Sequence, residues 1–308
     1  MSRVHYLGDV MKAVRVHGEI VLRQPAAAPE LAYFLYRPPH VRESAPVVVS
    51  VHGITRNACE HALYLRPWAD AYGAVLAAPL FDQHHYPAYQ RVGAERRGNA
   101  EAAFNAMLAD IEAELGRPIG RISLAGYSGG AQFAHRYALR NPQRVAALAL
   151  GAAGWYTWPD SELDYPLGLG RSSPQLSINL PEFLRLPIAV YVGELDALRD
   201  AKLKQTARLD ALQGTTRLER ARRWVDALGE AGTGLGIDTR ATFEVLCNAD
   251  HSFLRCVRRG GFGRRAFESF FGTRPGARER LDHDHVRFQL ADRLGAPAYA
   301  QAPRAVSR

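Results

Sequence analysis

Cysteine, lysine and long apolar runs are scarce in this chain of 308 residues. Cys59, Cys247 and Cys256 are the only cysteines; an odd number without metal-ligand spacing excludes a disulfide framework. No apolar run approaches the roughly 18 residues of a membrane-spanning helix, so no membrane span is expected. The first ten residues carry charge where a secretory signal needs an unbroken apolar core, so we expect a cytoplasmic location.

The formal charge of +8 comes almost wholly from arginine, because Lys12, Lys202 and Lys204 are the only lysines. From Leu254 to the C-terminus, twelve arginines face five acidic residues, which accounts for +7 of the total. This Arg-rich end lacks the interleaved aromatic residues of single-strand binders and matches no DNA-reading motif. We expect a solvated surface and no nucleic-acid partner, with binding of another anionic partner as the alternative.

Apolar runs alternate with helical patterns along the chain, and 47% of the residues are hydrophobic, as in globular domains. Continuous runs of this kind are typical of strands covered on both faces of a parallel sheet. They occur at residues 47–51, 74–80, 121–125, 145–151, 188–193 and 242–247, and runs at 20–22 and 31–36 are candidates for an edge hairpin. The order predicts an open α/β sheet with helices on both faces.

Three helical patterns separate these runs. Apolar residues from Phe104 to Leu115 form one stripe, a second pattern follows Ser128, and Thr216 with Glu219 has capping-box spacing. Residues 1–293 are expected to form one domain, in which the aperiodic segment 152–186 is an insertion over the sheet. Residues 294–308 are low in complexity and are expected to be a flexible tail.

The segment from Ile122 to Gly130 reads Ile-Ser-Leu-Ala-Gly-Tyr-Ser-Gly-Gly and is followed at once by a helical pattern. It fits G-x-S-x-G in a strand, turn, helix context, which is typical of a nucleophile elbow. A side chain at Gly126 or Gly130 would collide with the neighbouring strand or helix. The pattern predicts Ser128 as a nucleophile exposed at the carboxyl edge of the sheet.

A serine hydroxyl needs a base to remove its proton. His251 is best placed, because it follows the last predicted strand at the edge where Ser128 is expected. His84 and His85 also follow a strand and remain rivals. The other histidines that were weighed lie within the helix after Ser128 or follow no predicted strand: His135, His283 and His285.

The orienting acid is expected at the end of the preceding strand, where Glu194 and Asp196 occur. Asp196 lies farther into the loop and can reach the base, whereas Glu194 would have to turn back. Asp250 is adjacent to the base in sequence and is expected to be a loop cap. The chain order Ser128, Asp196, His251 is that of α/β-hydrolases.

Attack on an acyl carbon creates an oxyanion that needs two preset donors. Gly129 supplies one backbone N–H. The second is expected from the loop after the run 47–51, where Gly53 permits a turn that aims the N–H of Ile54, or with less support that of Thr55, at the same point.

These motifs together resemble the α/β-hydrolase superfamily over about residues 45 to 255. His52-Gly53, Gly126-Tyr-Ser-Gly-Gly130, Gly193-Glu-Leu-Asp196 and His251-Ser-Phe are similar to the esterase and polyhydroxyalkanoate-depolymerase-like branch. The resemblance implies the α/β-hydrolase fold with a short cap, a serine nucleophile, an acyl-enzyme intermediate and no cofactor or metal. The chain departs from hormone-sensitive-lipase relatives, since their His-Gly-Gly-Gly loop is His-Gly-Ile-Thr here.

Large rings near the predicted site are candidates for a substrate pocket. They are Phe81, Tyr127, Trp155, Tyr156 and Trp158. Trp155, Tyr156 and Trp158 lie in the insertion, and for them packing onto the body of the domain is an equal alternative. Asp82 is a weaker candidate for holding a substrate or an active-site arginine.

The sequence therefore predicts a carboxylic-ester hydrolase acting on a small-molecule acyl ester through Ser128, His251 and Asp196. A thioesterase or an amidase would use the same residues. A binding protein that has kept the fold and lost turnover is the alternative from another class. The oligomeric state is left open.

Overall fold

The computed structural model describes residues 20–39, 42–95, 97–170 and 177–274. Its strands are β1 (Ile20–Arg23), β2 (Ala32–Tyr36), β3 (Val47–Val51), β4 (Val75–Leu80), β5 (Ile122–Tyr127), β6 (Val145–Gly151), β7 (Pro187–Gly193) and β8 (Arg240–Leu246). The tail predicted at 294–308, together with His283 and His285, lies outside these ranges.

The strands form one sheet in the order β1-β2-β4-β3-β5-β6-β7-β8. Neighbouring strands from β4 through β3 to β8 run parallel, whereas β2 is antiparallel to both β1 and β4. The predicted parallel sheet and its edge hairpin are thus confirmed. The central strands are fully buried, as continuous apolar runs require.

Helices cover both faces of the sheet. They are α1 (Ala58–Tyr72), α2 (Ala100–Leu115), α3 (Gly129–Arg140), α4 (Leu180–Leu184), α5 (Ala207–Gln213), α6 (Arg217–Gly234), α7 (Phe253–Arg258) and α8 (Phe262–Phe271). Side chains of α2, α3 and α6 pack into one apolar core, and side chains of α1, α7 and α8 pack into a second core on the opposite face. In the ranges given above, no helix has both the length and the apolar character needed to cross a bilayer.

The loops at the carboxyl ends of β3 to β8 meet at one edge of the sheet, because these strands are parallel. The segment between β6 and β7 corresponds to the predicted insertion. In its described parts, 152–170 and 177–186, the only regular helix is α4. A role for this segment as a cap stays a prediction.

Candidate active site

Ser128 lies in the sharp turn between β5 and α3. Its φ of 53° and ψ of −113° are strained for a residue with a side chain, and its N–H donates to the Gly151 carbonyl at 2.7 Å. A methyl group at Gly126 would lie 2.3 Å from the Gly130 oxygen, and one at Gly130 would lie 1.9 Å from the Val51 oxygen. The close approach of helix and strand therefore excludes larger residues on either side of the serine.

His251 and Asp196 reach this turn from two neighbouring loops. His251 Nε2 lies 3.1 Å from Ser128 Oγ, and His251 Nδ1 lies 2.7 Å from Asp196 Oδ2. Because the carboxylate can only accept, Nδ1 carries the ring proton and Nε2 is left as the acceptor for the serine hydroxyl. The structure thus brings together the three side chains that the sequence predicted.

Arg217 is a further residue at the site that the sequence reasoning missed. Its Nη1 donates to Asp196 Oδ1 at 3.0 Å and to Asp200 Oδ2 at 2.6 Å, and its side chain is only 2% exposed. The guanidinium lowers the pKa of Asp200 to about 2. The capping box at Thr216 predicted where α6 begins, but no sequence signal pairs the first residue of that helix with a carboxylate 21 residues earlier.

The loop that carries Ile54 packs close to Gly129 and to Ser128. A methyl group at Gly129 would lie 3.4 Å from Ile54 N, and one at Gly53 would lie 3.8 Å from Ser128 Oγ. Among the described residues, neither the Ile54 N–H nor the Gly129 N–H finds a hydrogen-bond acceptor in the protein. Gly129 also begins α3, so the positive end of the helix dipole points at the same spot.

His52 fixes the loop that carries Ile54. The Phe81 N–H donates to His52 Nε2 at 3.0 Å, so the proton on Nδ1 donates to the Gly53 carbonyl at 2.7 Å. The Tyr89 hydroxyl donates to the His52 carbonyl at 2.6 Å. Burial lowers the pKa of His52 to about 4, so the ring is neutral and acts as a structural brace near neutral pH.

The rival histidines have other partners. His85 Nδ1 lies 2.8 Å from Asp82 Oδ2, and the backbone N–H groups of His84 and His85 also donate to Asp82. Asp82 therefore caps its own turn. His135 is buried in α3, where its ring bonds the Ala131 carbonyl at 2.8 Å and accepts from the Thr157 N–H at 3.0 Å.

Glu194 ties the two loops of the site together, because its carboxylate accepts from the Asn248 N–H at 3.1 Å. The Leu195 N–H donates to the Ala249 carbonyl at 2.9 Å, and a methyl group at Gly193 would lie 2.4 Å from the same oxygen. The loop that carries the acid and the loop that carries the base are therefore in direct backbone contact.

Asp250, next to the base in sequence, caps the following turn. Its carboxylate accepts from the Ser252 N–H at 3.1 Å and pairs with Arg255, which agrees with the loop-cap role expected for it.

Three of the rings predicted to line a pocket are instead buried in the cores. Phe81 stacks on Tyr89, Tyr156 stacks on Trp224, and the Tyr127 hydroxyl lies 3.1 Å from Cys256 Sγ. Phe81 and Tyr156 are 0% exposed and Tyr127 is 3% exposed, which leaves them no surface for a ligand in this conformation. In this conformation the three rings are occupied by packing in the cores, and a role in a substrate pocket stays a prediction.

The two tryptophans of the insertion are less enclosed. Trp155 is 7% exposed and Trp158 is partly buried. Trp155 packs against the guanidinium of Arg136 and the ammonium of Lys204. In the described part of the chain, no group of three or more His, Cys, Asp or Glu side chains could hold a metal ion.

An eight-stranded, mostly parallel sheet with a serine elbow after β5 and further site residues after β7 and β8 defines the α/β-hydrolase fold. The sequence profile of the family described as Esterase PHB depolymerase matches residues 31–234, and the chain belongs to this family. It is therefore a serine-type ester hydrolase. A comparison with curated proteins found no match.

Solved structures with the same fold share little sequence with the chain. A poly(aspartic acid) hydrolase from Sphingomonas sp. KT-1 is 22% identical, with a TM-score of 0.69 over 82% of this chain and 97% of that one. The poly(3-hydroxybutyrate) depolymerase LpqC from Bordetella parapertussis is 23% identical, with a TM-score of 0.69 over 89% and 96%. An S-formylglutathione hydrolase from Agrobacterium tumefaciens is 16% identical, with a TM-score of 0.53 over 82% and 94%.

Proposed function

We propose that the chain hydrolyses carboxylic esters through a Ser128, His251, Asp196 triad and an acyl-enzyme intermediate. The observation that carries the proposal is the continuous hydrogen-bond path from Ser128 Oγ through the imidazole of His251 to the carboxylate of Asp196. This path supplies a nucleophile, a base in the correct tautomer and a buried anion that stabilises the imidazolium.

In the acylation step, Ser128 Oγ attacks the acyl carbon while His251 Nε2 takes the hydroxyl proton. The carbonyl oxygen becomes an oxyanion and accepts from the N–H groups of Ile54 and Gly129. His251 then gives its proton to the alkoxide, which leaves as the alcohol, and the acyl group stays on the serine.

Deacylation repeats these roles with water as the nucleophile. His251 removes a proton from the water, and the resulting hydroxide attacks the acyl carbon. The proton returns to Ser128 Oγ as the carboxylic acid leaves. Every step uses groups of this chain and water only, so no cofactor is proposed.

An ester is proposed over a thioester or a small amide because the chain belongs to an esterase family. The same groups would act on all three bonds. We retain the cytoplasmic location as a prediction.

The nucleophile is tested with a fluorophosphonate probe, which attaches covalently to activated serines. We expect the probe to label the wild-type chain and the Ser161→Ala control, in which an exposed loop serine is removed. Ser128→Ala should lose both the label and ester hydrolysis while it unfolds at the same temperature as the wild type. Labelling that persists in Ser128→Ala would refute the assignment.

The bond specificity is tested with 4-nitrophenyl esters of increasing acyl length, assayed beside acyl thioesters and anilides of the same acids. We expect the highest kcat/KM for an ester. A folded chain that hydrolyses none of them, and that the probe does not label, would instead favour the non-catalytic binding protein.

A further inference from the structure

A group of positive charges surrounds Trp155, apart from the proposed triad. The guanidinium carbon of Arg136 lies 4.1 Å from the centre of the Trp155 ring, and Lys204 Nζ lies 4.8 Å from it. Arg136 belongs to α3, and Lys204 belongs to the loop after β7 that also carries Asp196. Lys204 is exposed, whereas Arg136 is buried.

Arg136 has donors that the protein does not satisfy. Its Nε donates to Thr157 Oγ1 at 3.0 Å, and its Nη1 donates to the Gln90 carbonyl at 2.5 Å. Its Nη2 is buried without an acceptor in the described part of the chain. Burial lowers the pKa of Arg136 to about 10, so the side chain remains a cation at neutral pH.

No described carboxylate pairs with the cations of this group. Arg91 follows Gln90, whose carbonyl accepts from Arg136. The side chains of Arg91 and Lys204 form no hydrogen bond or ion pair with a described residue. Burial lowers the pKa of Lys204, and the positive charges of Arg91, Arg136 and Arg220 lower it further. Glu95 acts on Arg136 through its negative charge and raises the pKa of the guanidinium, but the two side chains form no ion pair.

Arg220, the third cation that acts on Lys204, differs because its charge is already compensated. Its guanidinium donates to Asp210 Oδ1 at 2.7 Å and to the Gly154 carbonyl at 2.6 Å. It thereby fixes the backbone next to Trp155. Among the described residues, the cations without an ion-pair partner are therefore Arg91, Arg136 and Lys204, and the π face of Trp155 compensates such a charge only weakly.

Arg136 belongs to α3, the helix that begins directly after Ser128. Gln132 and Arg136 are spaced by four residues and share one face of α3, and Arg136 lies about 12 Å along the helix axis from Ser128. The Oε1 of Gln132 lies 3.4 Å from Arg136 Nη1, and its amide would touch a methyl group at Gly154 at 3.3 Å. The loops with Trp155 and Lys204 also start at the carboxyl edge of the sheet, where Ser128 lies.

We propose that Lys204 and Arg91 form, beside Trp155, a subsite for a carboxylate group carried by the ester substrate, and that the buried guanidinium of Arg136, packed on Trp155, adds positive charge to it. This inference rests on the proposed function and narrows it to esters that bear a negative charge away from the cleaved bond. The carboxylate would supply the acceptor that the side chains of Lys204 and Arg91 lack among the described residues.

The test compares two series of 4-nitrophenyl esters with matched chain lengths: half-esters of dicarboxylic acids from glutarate to sebacate, and the neutral alkanoates. We expect the wild type to prefer the charged ester, most strongly at the lengths that span the gap between Ser128 and Trp155. Lys204→Gln should lower kcat/KM for the charged series about tenfold and leave the neutral series within twofold. Added salt should reduce the preference.

Lys202→Gln is the matched control, since Lys202 is an exposed lysine on the same loop. It should change neither series, and Arg91→Gln should act like Lys204→Gln. Equal kcat/KM of the wild type on both series, or an equal loss on both series in Lys204→Gln, would overturn the subsite.

A second experiment tests the carboxylate subsite independently of the triad. Calorimetric titration of Ser128→Ala with sebacate, and with decanoate or decanamide for comparison, measures carboxylate binding without turnover. Binding that Lys204→Gln weakens supports the subsite even if the fluorophosphonate probe assigns the nucleophile elsewhere. Sebacate binding that is no tighter than decanamide binding counts against the subsite even if the triad is active.

Discussion

The two oxygens of the Asp196 carboxylate have different partners. Oδ2 holds the imidazole of His251, and Oδ1 accepts from Arg217. Glu194, two residues earlier, accepts from a backbone N–H of the neighbouring loop instead. We therefore expect different effects on kcat when each of these two acids is replaced by its amide.

Asp196→Asn should lower kcat by up to about 10⁴-fold, because an amide in this place favours the wrong tautomer of His251. Glu194→Gln, which keeps an acceptor for the Asn248 N–H, should lower kcat less than tenfold. Steady-state kinetics on one 4-nitrophenyl ester measures both. A large loss in Glu194→Gln with near-normal Asp196→Asn would exchange their roles.

Arg217 is expected to position the acid. Arg217→Met leaves two carboxylates without their shared cation, so kcat should fall about 10 to 100-fold and stability should fall by about 3 kcal/mol. Asp200→Asn is the control, since it leaves the bond between Arg217 and Asp196 in place. The pH profile of kcat/KM should shift in Arg217→Met, whereas a purely structural role would lower the rate equally at every pH.

At this scale the sequence predicted the residues that a strand end or a motif locates. Ser128, Asp196 and His251 each follow an apolar run, so the topology alone carries them to one edge. The place of Arg217 and the packing of Phe81, Tyr127 and Tyr156 could not be predicted in the same way. A buried arginine and a core aromatic side chain depend on packing between distant segments, for which a single sequence has no local signal.

At the scale of elements, the loops after β7 and β8 behave as one unit. Gly193, the last residue of β7, lies so close to Ala249 that even a methyl group would meet its carbonyl oxygen at 2.4 Å. This contact sets the distance between the acid and the base.

Gly193→Ala should therefore push the loop of His251 away from Asp196. We expect kcat to fall at least tenfold and the free energy of unfolding to fall by about 1–3 kcal/mol, as for overpacked sites. Gly229→Ala in α6 is the control, because a methyl group there meets nothing within 4 Å, and it should stabilise the chain slightly. Urea unfolding and initial rates measure both; normal kinetics in Gly193→Ala would contradict the close contact.

Strands were easier to predict than the segment between β6 and β7. Central parallel strands are apolar on both faces, so their runs are unmistakable: the predicted strand 145–151 matches β6. The insertion gives no periodic signal, because its conformation rests on irregular contacts such as the stacking of Tyr156 on Trp224.

At the scale of the whole molecule, three of the histidines that the structure describes are buried in neutral form. Burial is the main cause that lowers the pKa of His52, His61 and His135, to about 4 for His52 and well below its usual value of 6.5 for the others. The unfolded chain binds protons at these rings below about pH 6.5, whereas the folded chain binds them only at lower pH. The contribution of these three rings to the free energy of unfolding is therefore complete above pH 6.5 and is lost as the pH falls.

We expect the free energy of unfolding to decrease between pH 6.5 and pH 4 by about 1.4 kcal/mol per pH unit for each proton taken up. Urea titrations across this range measure the slope. His135→Gln should reduce the slope by about one proton, and His84→Gln, at an exposed position, should not alter it. A slope that stays the same in His135→Gln would mean that this ring is charged in the folded chain.

Because lysine is scarce in this chain, Lys204 beside Trp155 is suited to selective chemical labelling. Lys204 is exposed and has a lowered pKa, so its amine is free to react at milder pH than an ordinary lysine. An amine-directed dye or crosslinker has few other targets in this chain. A reporter dye attached at Lys204 would lie against the indole of Trp155. Its fluorescence would then change when a molecule binds beside that ring.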